Sequence, residues 1–244
     1  EPHTQELFRL LKIRLKNAEK STLLFMGDNI YPLGMPVEKG TKARKEAEES
    51  LDSQIELGRN LKGKTYFLPG NHDWYNGHEG LLEQEKYINE RMKKAFLPGK
   101  GCAITEVKIT DSITMIAIDS QWFIEDWDKY PTINDDCNIK TREALFTELE
   151  SILNNNTDKT VILAIHHPIM SNGSHGGHFA WEKQLFPLPY KVPMPIIGSL
   201  INLARRSSGY STQDIQSRVY ISLTKRLKGL LYDKDNVIVV TGHD

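Results

Sequence analysis

Four side chains with donor atoms suited to a metal ion recur at comparable places along the chain. Asp28, Asn71, His166 and His243 each follow a short apolar run, within "GDNIYPLG", "LPGNHDWYNG", "IHHP" and "TGHD". A carboxylate, an amide oxygen and two imidazoles form a nitrogen and oxygen donor set that suits iron, manganese or zinc. Two imidazoles argue against calcium or magnesium, and no thiolate stands in these motifs to favour copper(I). A carboxylate can bridge two cations, and a dinuclear pair can orient phosphate and produce hydroxide at neutral pH. The chemistry to which this set points is metal-assisted phosphoester hydrolysis.

The elements that must position these residues are visible in the apolar pattern. Leu7, Leu11 and Leu15 mark a helix, and a strand over 22–26 then runs into the loop of Asp28. Ala43, Ala47, Leu51 and Ile55 mark a second helix broken by Gly58 and Gly63, and a strand over 65–68 ends at Asn71. A third helix bears Ile88, Met92 and Ala95, and runs over 103–109 and 113–118 predict a hairpin in a mixed sheet. Leu145, Leu149 and Ile152 mark another helix before a strand over 161–165 that delivers His166. Ile215, Val219, Leu223 and Leu227 mark the last, before a strand over 237–240 and His243. Ligands of α/β sheets collect at the carboxyl ends of strands, so the four loops are expected to meet. Residues 178–210 interrupt the rhythm with aromatics and prolines and read as a cap or lid insertion that could shape access.

Taken in order, "GDNIY", "GNHD", "IHHP" and "GHD" resemble the calcineurin-like metallophosphoesterase superfamily, and "GDNIY" resembles its purple acid phosphatase-like branch. The resemblance implies an α/β fold, a four-layer α/β/β/α sandwich, over a single domain spanning 1–244. It implies two metal ions, iron paired with iron, zinc or manganese. Asp28 would bridge them, with Asn71, His166 and His243 completing one site and Tyr31 on the other metal. A phenol has a pKa of about 10, so only a strongly Lewis-acidic cation such as iron(III) would hold Tyr31 as phenolate. Packing beside Pro32 is the competing reading of Tyr31. By the same resemblance, His72 and His175 would be catalytic, contacting phosphate or protonating the leaving oxygen. His167 and His178 are read as lying outside the ligand shell, Asp73 as a turn residue, and Trp74, Tyr75 and Trp122 as packing residues.

The family pattern also has an aspartate on an earlier strand and a second histidine in GHxH, and neither falls within residues 1–244. The expectation is a domain truncated at both ends, lacking its first strand and the segment after GHxH, with impaired activity. The complete protein is expected to hydrolyse phosphate esters, phosphomonoesters first, through a metal-bound hydroxide. Its partner would be a phosphorylated small molecule. A phosphodiesterase or nucleotidase of the same fold, or a binding module that keeps the fold without catalysis, are the alternatives.

Bulk composition bounds the rest. With 31 Lys+Arg against 32 Asp+Glu the formal net charge is -1, so no global basic field argues for nucleic acid. No apolar run approaches the roughly 20 residues needed to cross a bilayer as a helix. Cys102 and Cys137 fit either one disulfide or two inert thiols. A bridge would favour an oxidising compartment, and with the phosphatase resemblance it points to export, periplasmic or extracellular.

Overall fold

The computed structural model describes residues 2–15, 21–171 and 212–243. The chain divides into two compact units. The first comprises Glu1–Trp122, Asp126–His167 and Asn236–His243, and the second Phe123–Glu125, Pro168–Asp235 and Asp244.

In the first unit, helix α1 (Pro2–Leu15) precedes strand β1 (Thr22–Phe25), and helix α2 (Lys42–Arg59) precedes β2 (Lys64–Phe67). Helix α3 (Gly77–Arg91) leads to the antiparallel pair β3 (Ile104–Lys108) and β4 (Ile113–Ile118). The short helix α4 (Ser120–Ile124), of which Ser120–Trp122 belong to this unit, helix α5 (Arg142–Asn154), β5 (Thr160–Ile165) and β6 (Val237–Val240) follow. β1 and β2 form a parallel two-stranded sheet, and the second sheet runs β3-β4-β5-β6, parallel except for β3. The predicted α/β class and the predicted hairpin in a mixed sheet are both present.

Side-chain alternation places the layers. Tyr66 and Leu68 from the end of β2 pack with Met115 and Ala117 of β4 and Ala164 of β5, so the two sheets face each other across a shared core. On the opposite face of β2, Thr65 lies so close to Gly58 of α2 that a Cβ there would approach the Thr65 hydroxyl to 2.8 Å. On the opposite face of the second sheet, Ile116, Ile118, Leu163 and Ile165 are fully buried, and α5 packs on β3. Helix, sheet, sheet and helix follow in that order, as expected of an α/β sandwich.

Three local details depart from the sequence pattern. Helix α2 continues through Gly58 to Arg59, and its Ala43 is exposed while Arg44 is buried. The Arg44 guanidinium satisfies itself on Glu48 (2.6 Å), Glu83 (3.0 Å) and the Pro36 carbonyl (2.8 Å). Helix α3 stops at Arg91, and Ala95 and Leu97 instead make backbone bonds to Phe67, so this segment pairs parallel with the end of β2 where helix was expected. Cys102 and Cys137 form a disulfide, with Cα atoms 5.5 Å apart.

In the second unit, helix α6 (Arg218–Leu231) is capped by the Ser217 hydroxyl, which accepts from the Tyr220 amide. It buries Tyr220, Leu223 and Leu227, with the Tyr220 hydroxyl donating to the Pro168 carbonyl at 2.8 Å. Ile215 lies in the turn before it. The expected insertion at 178–210 lies outside the described residues. No described helix is long and apolar enough to cross a membrane.

Candidate metal centre

The centre forms where β1, β2, β5 and β6 end. Leu68 donates its amide to Phe25, so the chains leaving β1 and β2 run side by side into their loops. Gly242 likewise donates to the His166 carbonyl at 3.0 Å, carrying the β5 and β6 pairing past the last strand residue. The loops then approach more closely than side chains allow. A Cβ on Gly70 would collide with the Asp28 carboxylate and backbone nitrogen, and one on Gly27 would collide with the His166 ring. Gly27 also has φ of 97°, and Asp28 and His243 follow with φ of 56° and 76°, conformations that turn their side chains out of the strand direction.

Asp28, Asn71, His166 and His243 come together as expected. One ligand atom from each of Asp28, His166 and His243 lies within 4.8 Å of the others. Asn71 Oδ1 is 3.0 Å from His243 Nδ1 and 3.2 Å from His166 Nε2, which is itself 3.2 Å from His243 Nδ1 and 3.4 Å from Asp28 Oδ1. His166 is 1% exposed.

The donor chemistry of this cluster fits a metal. His166 Nδ1 lies 2.6 Å from the Met26 carbonyl, which can only accept, so Nδ1 carries the proton and Nε2 of the neutral ring carries a lone pair. That lone pair faces two oxygens, Asn71 Oδ1 and Asp28 Oδ1. Acceptors crowded in this way need a positive charge among them. Burial opposes charge on His166, but the Asp28 carboxylate and the Met26 carbonyl together raise its pKa. Burial alone would push Asp28 up, yet His166, the His72 amide and the Tyr31 hydroxyl hold it well below the usual carboxylate range. A cation at the same place would serve all four donors at once.

Tyr31 sits on the other side of the carboxylate, its hydroxyl donating to Asp28 Oδ2 at 2.9 Å, while the His72 amide donates to Oδ1 at 3.0 Å. Tyr31 is 65% exposed, with its ring against that of His72. Burial of the hydroxyl and the neighbouring Asp28 charge raise its pKa, which keeps it a phenol without a metal. His72 Nδ1 is 2.6 Å from the Pro32 carbonyl, and its ring lies against those of Tyr31 and Tyr75, at centroid distances of 4.2 and 4.7 Å. His175 and His178 lie outside the described residues. A cavity of about 700 Å³ opens on Asp28 and Tyr31, with Phe8 and Phe25 along its apolar side.

Several residues do more than the sequence indicates. Asp73 is fully buried and accepts from the amides of Asn29 (3.0 Å) and Gly70 (2.8 Å) and from the side chain of Gln84 (3.0 Å). It therefore ties the loop of Asp28 to the loop of Asn71. His167 is buried outside the donor cluster as expected, with Nδ1 2.7 Å from Ser120 Oγ and its ring 4.5 Å from that of His243. Trp74 and Trp122 are buried, but Tyr75 is 46% exposed and accepts from Asn71 Nδ2 at 2.6 Å. The spacing of four between Asn71 and Tyr75 was the available signal, since one helical turn brings such residues together.

No curated protein matches the chain. The family model for calcineurin-like phosphoesterases matches residues 2–196, most of the chain and three of the four clustered donors, while His243 is joined to them by geometry alone. The chain thus belongs to the calcineurin-like phosphoesterase family, whose activity is metal-dependent phosphoester hydrolysis.

Proposed function

We propose that the chain carries a phosphomonoesterase site of the purple acid phosphatase-like kind, with Asp28, Asn71, His166 and His243 holding one metal ion and Asp28 shared with a second at Tyr31. The observation that carries this reading is the convergence of ligand atoms from four strand ends, with His166 Nδ1 held by the Met26 carbonyl and its Nε2 3.2 Å from Asn71 Oδ1 and 3.4 Å from Asp28 Oδ1. The opposed use of the two Asp28 oxygens, Oδ1 toward His166 and Oδ2 toward Tyr31, supports a bridging role. Bound metal would supply Lewis-acid stabilisation of phosphoryl charge and lower the pKa of a coordinated water; iron with iron, zinc or manganese is the proposed composition.

The chain's own residues supply the rest. His72 keeps its Nδ1 proton on Pro32, which leaves Nε2 to contact a phosphoryl oxygen or, when protonated, to give a proton to the leaving oxygen. The Tyr31 and Tyr75 rings restrain the imidazole, at centroid distances of 4.2 and 4.7 Å. Asp73 fixes the separation of the two loops, so that ligands arrive already placed. His175 is proposed as a second phosphate-contacting histidine, and residues 178–210 as a cap or lid insertion in a single domain. The Cys102–Cys137 disulfide supports an exported protein acting on a phosphorylated small molecule.

Hydrolysis of p-nitrophenyl phosphate and of bis(p-nitrophenyl) phosphate, before and after chelation, tests this reading. The expected result is a preference for the monoester, loss of activity on chelation and recovery on adding metal. A preference for the diester would assign a phosphodiesterase instead, and chelator-resistant hydrolysis would refute the metal centre.

A further inference from the structure

We infer that Tyr75 is a positioning residue for two neighbours at once, holding the Asn71 amide through its hydroxyl and the His72 imidazole through its ring. The inference rests on the metal-centre reading of Asn71 and His72 and extends it to a residue outside the ligand set. Asn71 and Tyr75 both have right-handed helical backbones, with φ of -67° at each, and enclose the single turn His72–Trp74. The Tyr75 amide donates to the His72 carbonyl at 3.2 Å and closes that turn. Its side chain then passes beside both residues.

The contact with Asn71 acts on the end of the amide away from the donors. Nδ2 donates to the Tyr75 hydroxyl at 2.6 Å, while Oδ1 lies 3.2 Å from His166 Nε2 and 3.0 Å from His243 Nδ1. An amide oxygen is a weak ligand on a freely turning group, so pinning the opposite end lowers the cost of aiming it at the cluster. A hydroxyl both donates and accepts, so Tyr75 fixes the plane of the amide, and the cation selects its oxygen. The contact with His72 is separate, ring against ring at 4.7 Å and 52°, with the Tyr31 ring also at 4.2 Å and Pro32 on Nδ1. Tyr75 is 46% exposed, so trimming its hydroxyl removes no core packing.

The two contacts separate by substitution. Tyr75→Phe keeps the ring and loses the hydroxyl, and Tyr75→Leu loses both. Calorimetric titration with Mn²⁺, at a temperature where circular dichroism shows both proteins folded, is expected to show Tyr75→Phe binding about tenfold more weakly than wild type. Titration of the Mn²⁺-saturated proteins with inorganic phosphate is expected to leave Tyr75→Phe within about twofold of wild type and to weaken Tyr75→Leu by about fivefold, roughly the worth of one contact. Asn71→Ala serves as the reference. If it weakens Mn²⁺ binding while Tyr75→Phe does not, Tyr75 is not a positioning residue. If phosphate binds Tyr75→Leu as tightly as wild type, the ring contact does nothing for His72. If Asn71→Ala binds Mn²⁺ normally, the metal-centre reading itself falls, and the role of Tyr75 with it.

Discussion

The Tyr31 hydroxyl donates to Asp28 Oδ2, the carboxylate oxygen that is not the one facing His166. The pair therefore defines a second side to the centre. If iron(III) occupies that side, Tyr31 is converted to phenolate and the protein is violet. Tyr31→Phe is expected to lose the visible band while retaining metal at the His166 side. An iron-loaded protein whose spectrum is the same with and without Tyr31 would remove tyrosine from the ligand set.

Asp73 collects buried donors from three segments, and its removal would strand them. Asp73→Ala leaves the amides of Asn29 and Gly70 and the side chain of Gln84 without their acceptor. Unsatisfied buried groups cost roughly 1–3 kcal/mol each, so the expected loss is at least about 3 kcal/mol, measured as a lower urea midpoint. Metal affinity should fall as well, because the loops of Asp28 and Asn71 lose their tie. A variant of wild-type stability would contradict this account of Asp73.

Asp119, which follows β4, is fully buried, and burial pushes its carboxyl up to about 7 against the donors Trp122, Trp74 and Gln121 that favour its charge. A carboxyl raised in the folded state contributes stability below its unfolded pKa, near 4, and that contribution is lost as pH rises toward 7. Asp119→Asn removes the titration. Relative to wild type, the variant is therefore expected to gain roughly 2 kcal/mol between pH 5 and pH 8. A stability difference between the two proteins that does not change with pH would show that the donors outweigh burial.

The Cys102–Cys137 bridge closes 35 residues of chain. Loop-closure entropy for that length predicts a stabilisation of about 4 kcal/mol, and 2–4 kcal/mol is typical. Replacing both cysteines by serine is expected to lower the urea midpoint accordingly and to make the protein insensitive to reductant. Equal stability with and without the bridge would mean that residues 102–137 are ordered without it.

The parts of this molecule that rest on local pattern were legible. Apolar runs ending in glycine and polar residues announced β1, β2, β5 and β6, and the donors at their ends were recognisable by type. What escaped depends on distant partners. Ala95 looks helical by its spacing from Ile88 and Met92, and only Phe67, some thirty residues earlier, draws it into an extended segment. Arg44 is buried because Glu83 and Pro36 come to meet it. Asp73 reads as a turn residue because its chief partner, Asn29, is 44 positions away. Tyr75 reads as a packing aromatic because the sequence does not show that its hydroxyl meets the Asn71 amide while Trp74 beside it is the buried one.

The central claim is that a metal ion is held by Asp28, Asn71, His166 and His243, and equilibrium dialysis of wild type and His166→Ala against Mn²⁺ and Zn²⁺ tests it most directly. The account predicts at least one bound ion per wild-type chain and a loss of affinity of a hundredfold order in the folded variant, since His166 Nε2 stands among the other three donors. Equal metal uptake by the two proteins would contradict it.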